Sequence, residues 1–284
     1  MTCTIAHAPL LVVNDLCVEL KNHPHQTPLV QDVHFILKTG QTLGLVGESG
    51  SGKSLTALAL LGLLSPNVQA SGSVRMQGQE LIGVRDKTLQ TLRGNRISMV
   101  FQEPMTALNP VHTIGDQVAE PLRLHKRLSR QEALSQATAL LDRVGIARAR
   151  ERLSAYPHQF SGGQRQRIVI AMALACQPAL LIADEPTTAL DVIVQQQILD
   201  LLDELVREQG MGLLLISHDL AVISDYTDHV AVMTEGRIVE QGPTASVFAA
   251  PQHAYTQQLM QSRQRLMAFS LSDEGSPAPE ESPA

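Results

Sequence analysis

The sequence predicts an α/β fold in which helices cover both faces of a mainly parallel sheet. Two observations carry this prediction. Short apolar segments alternate with longer helical patterns through the second half of the chain. In addition, the glycine-rich segment GESGSGKS lies directly between a short apolar strand and a helix-like run. With 284 residues, 44% of them hydrophobic and 18% charged, the chain has the length and composition of one large folded domain or two modest ones.

Each element follows from a local pattern. Apolar and polar residues alternate in the first strand, whereas the later strands are short and continuously apolar. Strands are expected over residues 11–20, 33–37, 41–46, 97–101, 179–183 and 213–217, and helices over residues 53–64, 163–176 and 192–209. Between residues 114 and 153, apolar residues recur at three- and four-residue spacing, which predicts helices. We interpret residues 1–268 as a single domain and residues 269–284, which are acidic and rich in proline, as a disordered tail.

The bulk composition excludes several classes of protein. A net charge of −6 argues against a dedicated nucleic-acid binder, which usually has a basic face. The longest apolar stretch, residues 168–183, is interrupted by Gln177 and Pro178 and is too short to span a bilayer. No secretory signal is visible at the N-terminus. The chain is therefore expected to be soluble and to reach a membrane only through a partner.

The glycine-rich segment fits the pattern G-x-x-x-x-G-K-[ST] and predicts a phosphate-binding loop. Its glycines allow backbone N–H groups to point inward at phosphate oxygens, and the positive end of the following helix adds to this attraction. Lys53 is expected to reach the β- and γ-phosphates, and the Ser54 hydroxyl to bind Mg²⁺. The plainer alternative is a flexible turn before a lysine. The loop consists of Gly47, Glu48, Ser49, Gly50, Ser51, Gly52, Lys53 and Ser54.

Two carboxylates follow the apolar run of the segment ALLIADEPT. Parallel strands bring such residues to the carboxyl edge of the sheet, where open α/β sheets bind ligands. Asp184 would hold Mg²⁺, and Glu185 would orient or deprotonate the attacking water. Without the phosphate loop, a pair of helix-capping acids would be the better interpretation.

The segment SGGQ, residues Ser161, Gly162, Gly163 and Gln164, opens another predicted helix. Together with the strand and Asp-Glu pair about twenty residues later, it resembles the signature of ABC-type ATPases. In that family the serine and the glycine N–H groups bind the γ-phosphate of ATP held by the other subunit, so the resemblance implies a head-to-tail dimer around two ATP molecules. Taken alone, SGGQ is a helix cap and a turn.

Three further positions match the family in order and spacing. Gln102 resembles the glutamine that contacts Mg²⁺ or the water and senses the membrane subunit. Asp191 resembles the acid that crosses the dimer interface, and His218 resembles the histidine that contacts the γ-phosphate. The resemblance covers residues 11 to about 267. Where the family usually has an adenine-stacking aromatic residue, this chain has only Leu20, with His23 and His25 close by.

The resemblance also implies the architecture. The fold is expected to be that of a P-loop NTPase of the ABC ATPase type. It would combine a mainly parallel sheet core with an N-terminal antiparallel β subdomain and a helical subdomain inserted at about residues 103–160.

The resemblance favours an import ATPase among the kinds of ABC ATPase. The chain carries no long heptad insertion, which DNA-associated members have, and no second cassette, which translation-associated members have; a regulatory ATP sensor stays open as an alternative.

Residues 156–174 and 251–260 are similar to the oligopeptide, dipeptide and nickel importer branch. Peptide-type members often extend further with a cysteine-containing segment, and the shorter form here favours nickel slightly over peptides. The implied partners are a second ATPase subunit, with a heterodimer favoured over a homodimer, two membrane-spanning permease subunits and, indirectly, an extracytoplasmic solute-binding protein, with no nucleic acid. The implied location is the cytoplasmic face of the inner membrane.

Overall fold

The computed structural model describes residues 9–21, 27–102, 107–188 and 190–262. In chain order its strands are β1 Pro9–Leu20, β2 Val30–Lys38, β3 Thr42–Val46, β4 Val68–Met76, β5 Gln79–Glu80, β6 Ile97–Val100, β7 Leu180–Asp184, β8 Gly212–Ser217, β9 His229–Thr234 and β10 Arg237–Pro243. The α-helices are Lys53–Leu61, Asp86–Leu92, Ile114–Lys126, Arg130–Arg143, Ala149–Arg152, Gly162–Leu174, Val192–Gln209, Leu220–Tyr226 and Thr244–Ala249. A short 3₁₀ turn covers Pro157–Gln159, and a last helical segment covers residues 254–262.

The strands form two sheets. The larger has the order β10-β9-β3-β8-β7-β6, in which β9 to β6 are parallel and β10 pairs antiparallel with β9. The smaller has the order β2-β1-β4-β5 and is antiparallel throughout. The predicted α/β class, with a parallel core and a separate antiparallel sheet, is therefore confirmed.

The larger sheet is buried on both faces. Along β8, Leu213 and Leu215 belong to one hydrophobic core, whereas Leu214 and Ile216 belong to another. The first core also contains residues of the helical part, such as Leu141, and the second contains residues of the antiparallel sheet, such as Phe35. This double burial explains why the strands have continuously apolar sequences rather than alternating ones.

The helical part lies between β6 and the helix Gly162–Leu174. The helical pattern predicted over residues 114–153 forms separate helices, the first of which, Ile114–Lys126, ends where Arg127 adopts a left-handed conformation (φ 56°). Ser129 then opens the next helix through a capping box with Glu132. Within the described part of the chain, no helix combines the length and the apolar character needed to cross a membrane.

Several elements differ from the sequence prediction. The helix predicted over residues 53–64 ends at Leu61, because Gly62 turns left-handed (φ 61°) and its N–H bonds back to the preceding turn. The sequence prediction omitted β4, β5, β9, β10 and the helices Asp86–Leu92, Leu220–Tyr226 and Thr244–Ala249. The predicted disordered tail lies outside the described residues.

Candidate active site

The phosphate loop connects the end of β3 with the helix Lys53–Leu61. Gly50 (φ 82°) and Gly52 (φ 104°) are both left-handed, a conformation that favours glycine. No side chain caps the helix at Gly52, so its first-turn N–H groups are available to an anion. The backbone therefore has the form that phosphate binding requires.

Lys53 is buried at the base of this loop, with 5% of its surface exposed. Its Nζ donates hydrogen bonds to the carbonyl oxygens of Gly47 and Glu48, both at 2.8 Å. Burial lowers the pKa of Lys53, while the negative charges of Glu185, Asp184 and Glu48 oppose this shift. A buried ammonium group held by two neutral oxygens is suited to exchange them for the charged oxygens of a phosphate.

Ser54 and Asp184 place two oxygen ligands side by side. The Ser54 hydroxyl donates to Asp184 Oδ1 at 3.1 Å, and Asp184 is 5% exposed at the end of β7. Burial raises the pKa of Asp184, which the hydrogen bond from Ser54 partly offsets. A hydroxyl beside a poorly solvated carboxylate is a donor set that fits a hard cation such as Mg²⁺.

The environment of Asp184 leads to a prediction about stability. Its pKa is raised in the folded protein, so its destabilising effect is absent below the unfolded-state pKa and fully present above the folded-state pKa. We expect Asp184→Asn to raise the melting temperature of the ligand-free protein near neutral pH by about 2 °C. In this variant Lys53 still has the negative charge of Glu185 beside it, which influences the pKa of Lys53 more than the charge of Asp184 does. The same variant should lose the additional stabilisation that Mg²⁺ with ATP gives the wild type.

Thermal unfolding followed by circular dichroism, with and without Mg²⁺ and ATP, checks both effects. Asp142→Asn is the matched control, because Asp142 is exposed in the helix Arg130–Arg143 and should change neither value. A lower melting temperature for ligand-free Asp184→Asn than for the wild type would contradict the prediction.

Glu185 follows β7 and is held from three sides. Its Oε2 accepts hydrogen bonds from Gln102 Nε2 at 3.1 Å and Thr188 Oγ1 at 2.9 Å, and its Oε1 lies 3.2 Å from His218 Nδ1. The backbone of Glu185 is left-handed (φ 45°), a strained conformation for a residue with a side chain. The N–H of Glu185 donates to the Ile216 carbonyl of β8 at 2.9 Å, which helps to hold this conformation.

Gln102, Glu185 and His218 meet at one cavity of about 460 Å³. It is lined by Gly47, Glu48, Ser49, Gln102, Glu185, His218 and Leu259. The structure therefore brings together the phosphate loop, the residue after β7 and the residue after β8, as their positions at the carboxyl edge of a parallel sheet predict.

The signature segment and Asp191 have local partners. Ser161 and Gln164 form a capping box at the start of the helix Gly162–Leu174, and Asp191 caps the helix Val192–Gln209 by accepting from Val194 N at 2.9 Å. Directly after Asp191, Val192 and Ile193 are 81% and 72% exposed. Two apolar side chains exposed next to each other are typical of a surface that a partner covers.

Three residues of the site were missed by the sequence prediction. Thr188 bonds Glu185, Leu259 lines the cavity, and Tyr255 contacts the phosphate loop at Glu48. Only the family-like segment around residues 251–260 could have drawn attention to the last two. Of the candidate base contacts, Leu20 is half-buried at the end of β1, while His23 and His25 lie outside the described residues.

Comparison with known proteins agrees with this geometry. The family model described as "ABC transporter" matches residues 30–188. The oligopeptide transport ATP-binding protein OppD of Salmonella typhimurium is 49% identical over 268 residues, covering 93% of this chain and 80% of that protein. OppD of Escherichia coli is 49% identical over 259 residues, covering 91% of this chain and 77% of that protein.

Solved structures show the same fold. The ATP-binding cassette MJ0796, solved as a dimer in a post-hydrolysis state with ADP and Pi, has a TM-score of 0.72 at 26% identity, covering 82% of this chain and 98% of that one. The cbiO1 protein of Clostridium perfringens, part of the ABC transporter complex cbiONQ, has a TM-score of 0.72 at 27% identity, covering 93% and 99%. The phosphate loop, the paired carboxylates and the matching family together show that this chain belongs to the ABC transporter family, as one of its ATP-hydrolysing subunits.

Proposed function

We propose that this chain supplies the energy for a peptide import system by hydrolysing ATP at the cytoplasmic face of the membrane. The observation that carries the proposal is the placement of Glu185, which Gln102, Thr188 and His218 hold at the cavity beside the phosphate loop. A carboxylate fixed in this way can orient a water molecule toward a phosphate bound on the loop.

The loop and Lys53 bind the phosphates in this proposal. The first-turn N–H groups of the helix Lys53–Leu61 point at the phosphate oxygens, and Lys53 leaves the carbonyls of Gly47 and Glu48 to contact the β- and γ-phosphates. Because Lys53 is already buried, its charge is poorly solvated, and its electrostatic attraction for a phosphate is stronger than it would be at the surface.

Ser54 and Asp184 would hold Mg²⁺, with Gln102 at the edge of the same site. When bound, this ion would supply positive charge that offsets the negative charge of the phosphates. The two neighbouring carboxylates thus have separate tasks, because Asp184 bonds Ser54 while Glu185 bonds Gln102, Thr188 and His218.

His218 and Glu185 complete the chemical step. Glu185 accepts a hydrogen bond from the attacking water, and His218, which is 62% exposed beside it, donates to the γ-phosphate. The exposure of His218 keeps this side of the cavity open to a second subunit.

A second ATPase subunit closes the site. The N–H groups after Ser161 would bind the γ-phosphate held by that subunit, and Asp191 with the exposed Val192 and Ile193 would lie at the interface between the two. Dimeric solved cassettes with the same fold support this arrangement. We propose that the second subunit is a different chain, as the importer branch that this sequence resembles generally pairs two ATPases.

A separate apolar groove of about 540 Å³ fits a helix of the membrane permease. It lies between the sheet and the helical part, and its lining includes Leu63, Phe101 and Met172. Leu63 and Phe101 are large apolar side chains that are 40% and 41% exposed. Because Phe101 precedes Gln102 in the chain, a helix docked here would move a residue that bonds Glu185. Docking would in this way be coupled to hydrolysis.

The names of the relatives support a peptide rather than nickel as the cargo. Both OppD proteins are oligopeptide transport proteins at 49% identity. The names of these relatives give no support to the slight preference for nickel that the length of the chain suggested. The same names and the matching family favour transport over a regulatory, DNA-associated or translation-associated ATPase.

Uptake measurements test the proposed function. We expect cells that carry Lys53→Ala in place of the wild type to lose uptake of a radiolabelled di- or oligopeptide by more than tenfold, because the phosphates lose their buried cation. Uptake of radiolabelled nickel in the same cells should stay unchanged. Loss of nickel uptake alone would overturn the peptide assignment, and unchanged uptake of both would overturn the import assignment. Lys38→Ala, on an exposed position of β2, is the control.

A further inference from the structure

The segment that follows the last strand returns to the phosphate loop. Residues 251–262, named here the C-terminal segment, end the described part of the chain with the helical run 254–262. The hydroxyl oxygen of Tyr255 accepts a hydrogen bond from the backbone N–H of Glu48 at 2.9 Å, across 207 residues of sequence. One helical turn later, Leu259 lines the same cavity as Gln102, Glu185 and His218.

The C-terminal segment is fixed in place before it reaches the loop. The Glu240 carboxylate of β10 accepts from the N–H groups of Gln252 and His253 at 2.8 and 3.0 Å, which holds the start of the segment. Thr256, next to Tyr255, is fully buried. The side chain of Thr234 at the end of β9 lies close enough to the phenol of Tyr255 to influence its pKa. Tyr255 therefore presents its hydroxyl from a rigid position.

The peptide that Tyr255 holds is the one that positions Lys53. In the peptide group between Gly47 and Glu48, the carbonyl oxygen of Gly47 accepts from Lys53 Nζ at 2.8 Å, while the N–H of Glu48 donates to Tyr255. The next carbonyl oxygen, that of Glu48, accepts from Lys53 Nζ at 2.8 Å and from Ser51 N at 3.2 Å. The phenol of Tyr255 is protonated at neutral pH, as an ordinary tyrosine is, and burial raises its pKa further. The hydrogen bond from Glu48 N–H to Tyr255 restricts the backbone at the start of the loop. The groups that would bind phosphate come directly after this point in the chain, so their positions depend on it.

We propose that Tyr255 is a positioning residue for ATP binding, which holds the entrance of the phosphate loop through the N–H of Glu48. Leu259, one helical turn after Tyr255, closes one side of the cavity. The C-terminal segment thus contributes to ATP binding in addition to packing against the rest of the fold. This inference rests on the proposed binding and hydrolysis of ATP at the loop.

Removal of one hydroxyl tests the proposal. In Tyr255→Phe of the full chain, the ring remains and only the acceptor for Glu48 N–H is lost. We expect the Kd for ATP with Mg²⁺, measured by equilibrium dialysis with radiolabelled ATP, to rise about fivefold. In the assembled transporter the KM for ATP should rise by a similar factor, while kcat should stay within about twofold because Glu185, Gln102 and His218 are untouched.

Tyr226→Phe is the matched control. The hydroxyl of Tyr226 donates to Asp200 at 2.6 Å on the helix Val192–Gln209, so its loss should lower the melting temperature without changing the affinity for ATP. Leu259→Ala is a second variant, which should also raise the Kd for ATP because it opens the cavity to water. The melting temperature of each variant shows whether it is folded.

The outcomes separate the inference from the proposed function. A Kd for Tyr255→Phe within a factor of about two of the wild-type value, in a folded protein, would overturn the positioning role. An equal loss of affinity in Tyr226→Phe would do the same, since it would mark a general effect of destabilisation. A wild-type chain that binds no ATP would instead overturn the proposed function itself.

Discussion

Replacement of Glu185 by glutamine is expected to stop hydrolysis while ATP binding continues. The amide keeps the size of the side chain and can still accept from Gln102 or Thr188, but it can neither take a proton from water nor polarise it as a carboxylate does. We expect kcat to fall about 10²- to 10⁴-fold, the usual contribution of a positioned general base. The Kd for ATP should change less than threefold, because the loop and Lys53 are unchanged.

Phosphate release by the assembled transporter and equilibrium binding of radiolabelled ATP are the two measurements. Glu204→Gln, an exposed position on the helix Val192–Gln209, is the control for loss of one negative charge and should leave both unchanged. Hydrolysis by Glu185→Gln within tenfold of the wild-type rate would show that another group activates the water.

The same variant tests the proposed partner. Slow hydrolysis should preserve the ATP-bound closed dimer, so Glu185→Gln with ATP should elute from gel filtration as a dimer only when the second ATPase subunit is present. A stable dimer formed by this chain alone would contradict the heterodimer and leave the role of Glu185 intact.

The parallel core was predictable because its signals are local. The strands β3, β7 and β8 are short apolar runs that end at glycine or polar residues, which are unfavourable in a buried strand. The glycine-rich loop follows β3, Asp184 and Glu185 mark the end of β7, and His218 follows β8. The order of these residues along the chain was enough to predict that they meet at one edge of the sheet. The antiparallel sheet was less visible. In β4 the sequence VQASGSVRM does not alternate cleanly, and its strand is set by pairing with β1.

Some features of the site depend on contacts that no local pattern encodes. Thr188 reaches Glu185 because the backbone turns left-handed after β7, and a left-handed glutamate has no sequence signal. The contact between Tyr255 and Glu48 joins residues 207 positions apart. Within the described residues nothing covers the exposed Val192 and Ile193, and the proposed second subunit would supply a surface that does.

Replacement of Gly47 by alanine is expected to damage both the fold and the ATP site. A Cβ at this position would lie 2.0 Å from the carbonyl oxygen of Met233 and 2.9 Å from Ser51 Oγ. Met233 cannot move aside, because it pairs with Ile238 of β10 and lies at the end of β9, whose Val232 pairs with Val46 of β3. The phosphate loop must therefore move instead. We expect a loss of about 3 kcal/mol in the free energy of unfolding, as for other overpacked positions.

Displacement of the loop should also weaken ATP binding by more than tenfold, since Gly47 supplies one of the two carbonyls that hold Lys53 and begins the phosphate-binding loop.

Gly50→Ala separates the steric effect from the conformational one. Gly50 is left-handed (φ 82°), but nothing lies within 4 Å of a Cβ there, so only the cost of that conformation remains, about 1 kcal/mol. Chemical denaturation compares the two variants. Equal stability losses at Gly47 and Gly50 would show that the close approach to Met233 does not limit the loop. A larger loss at Gly47 would mean that β9 fixes the position of the loop.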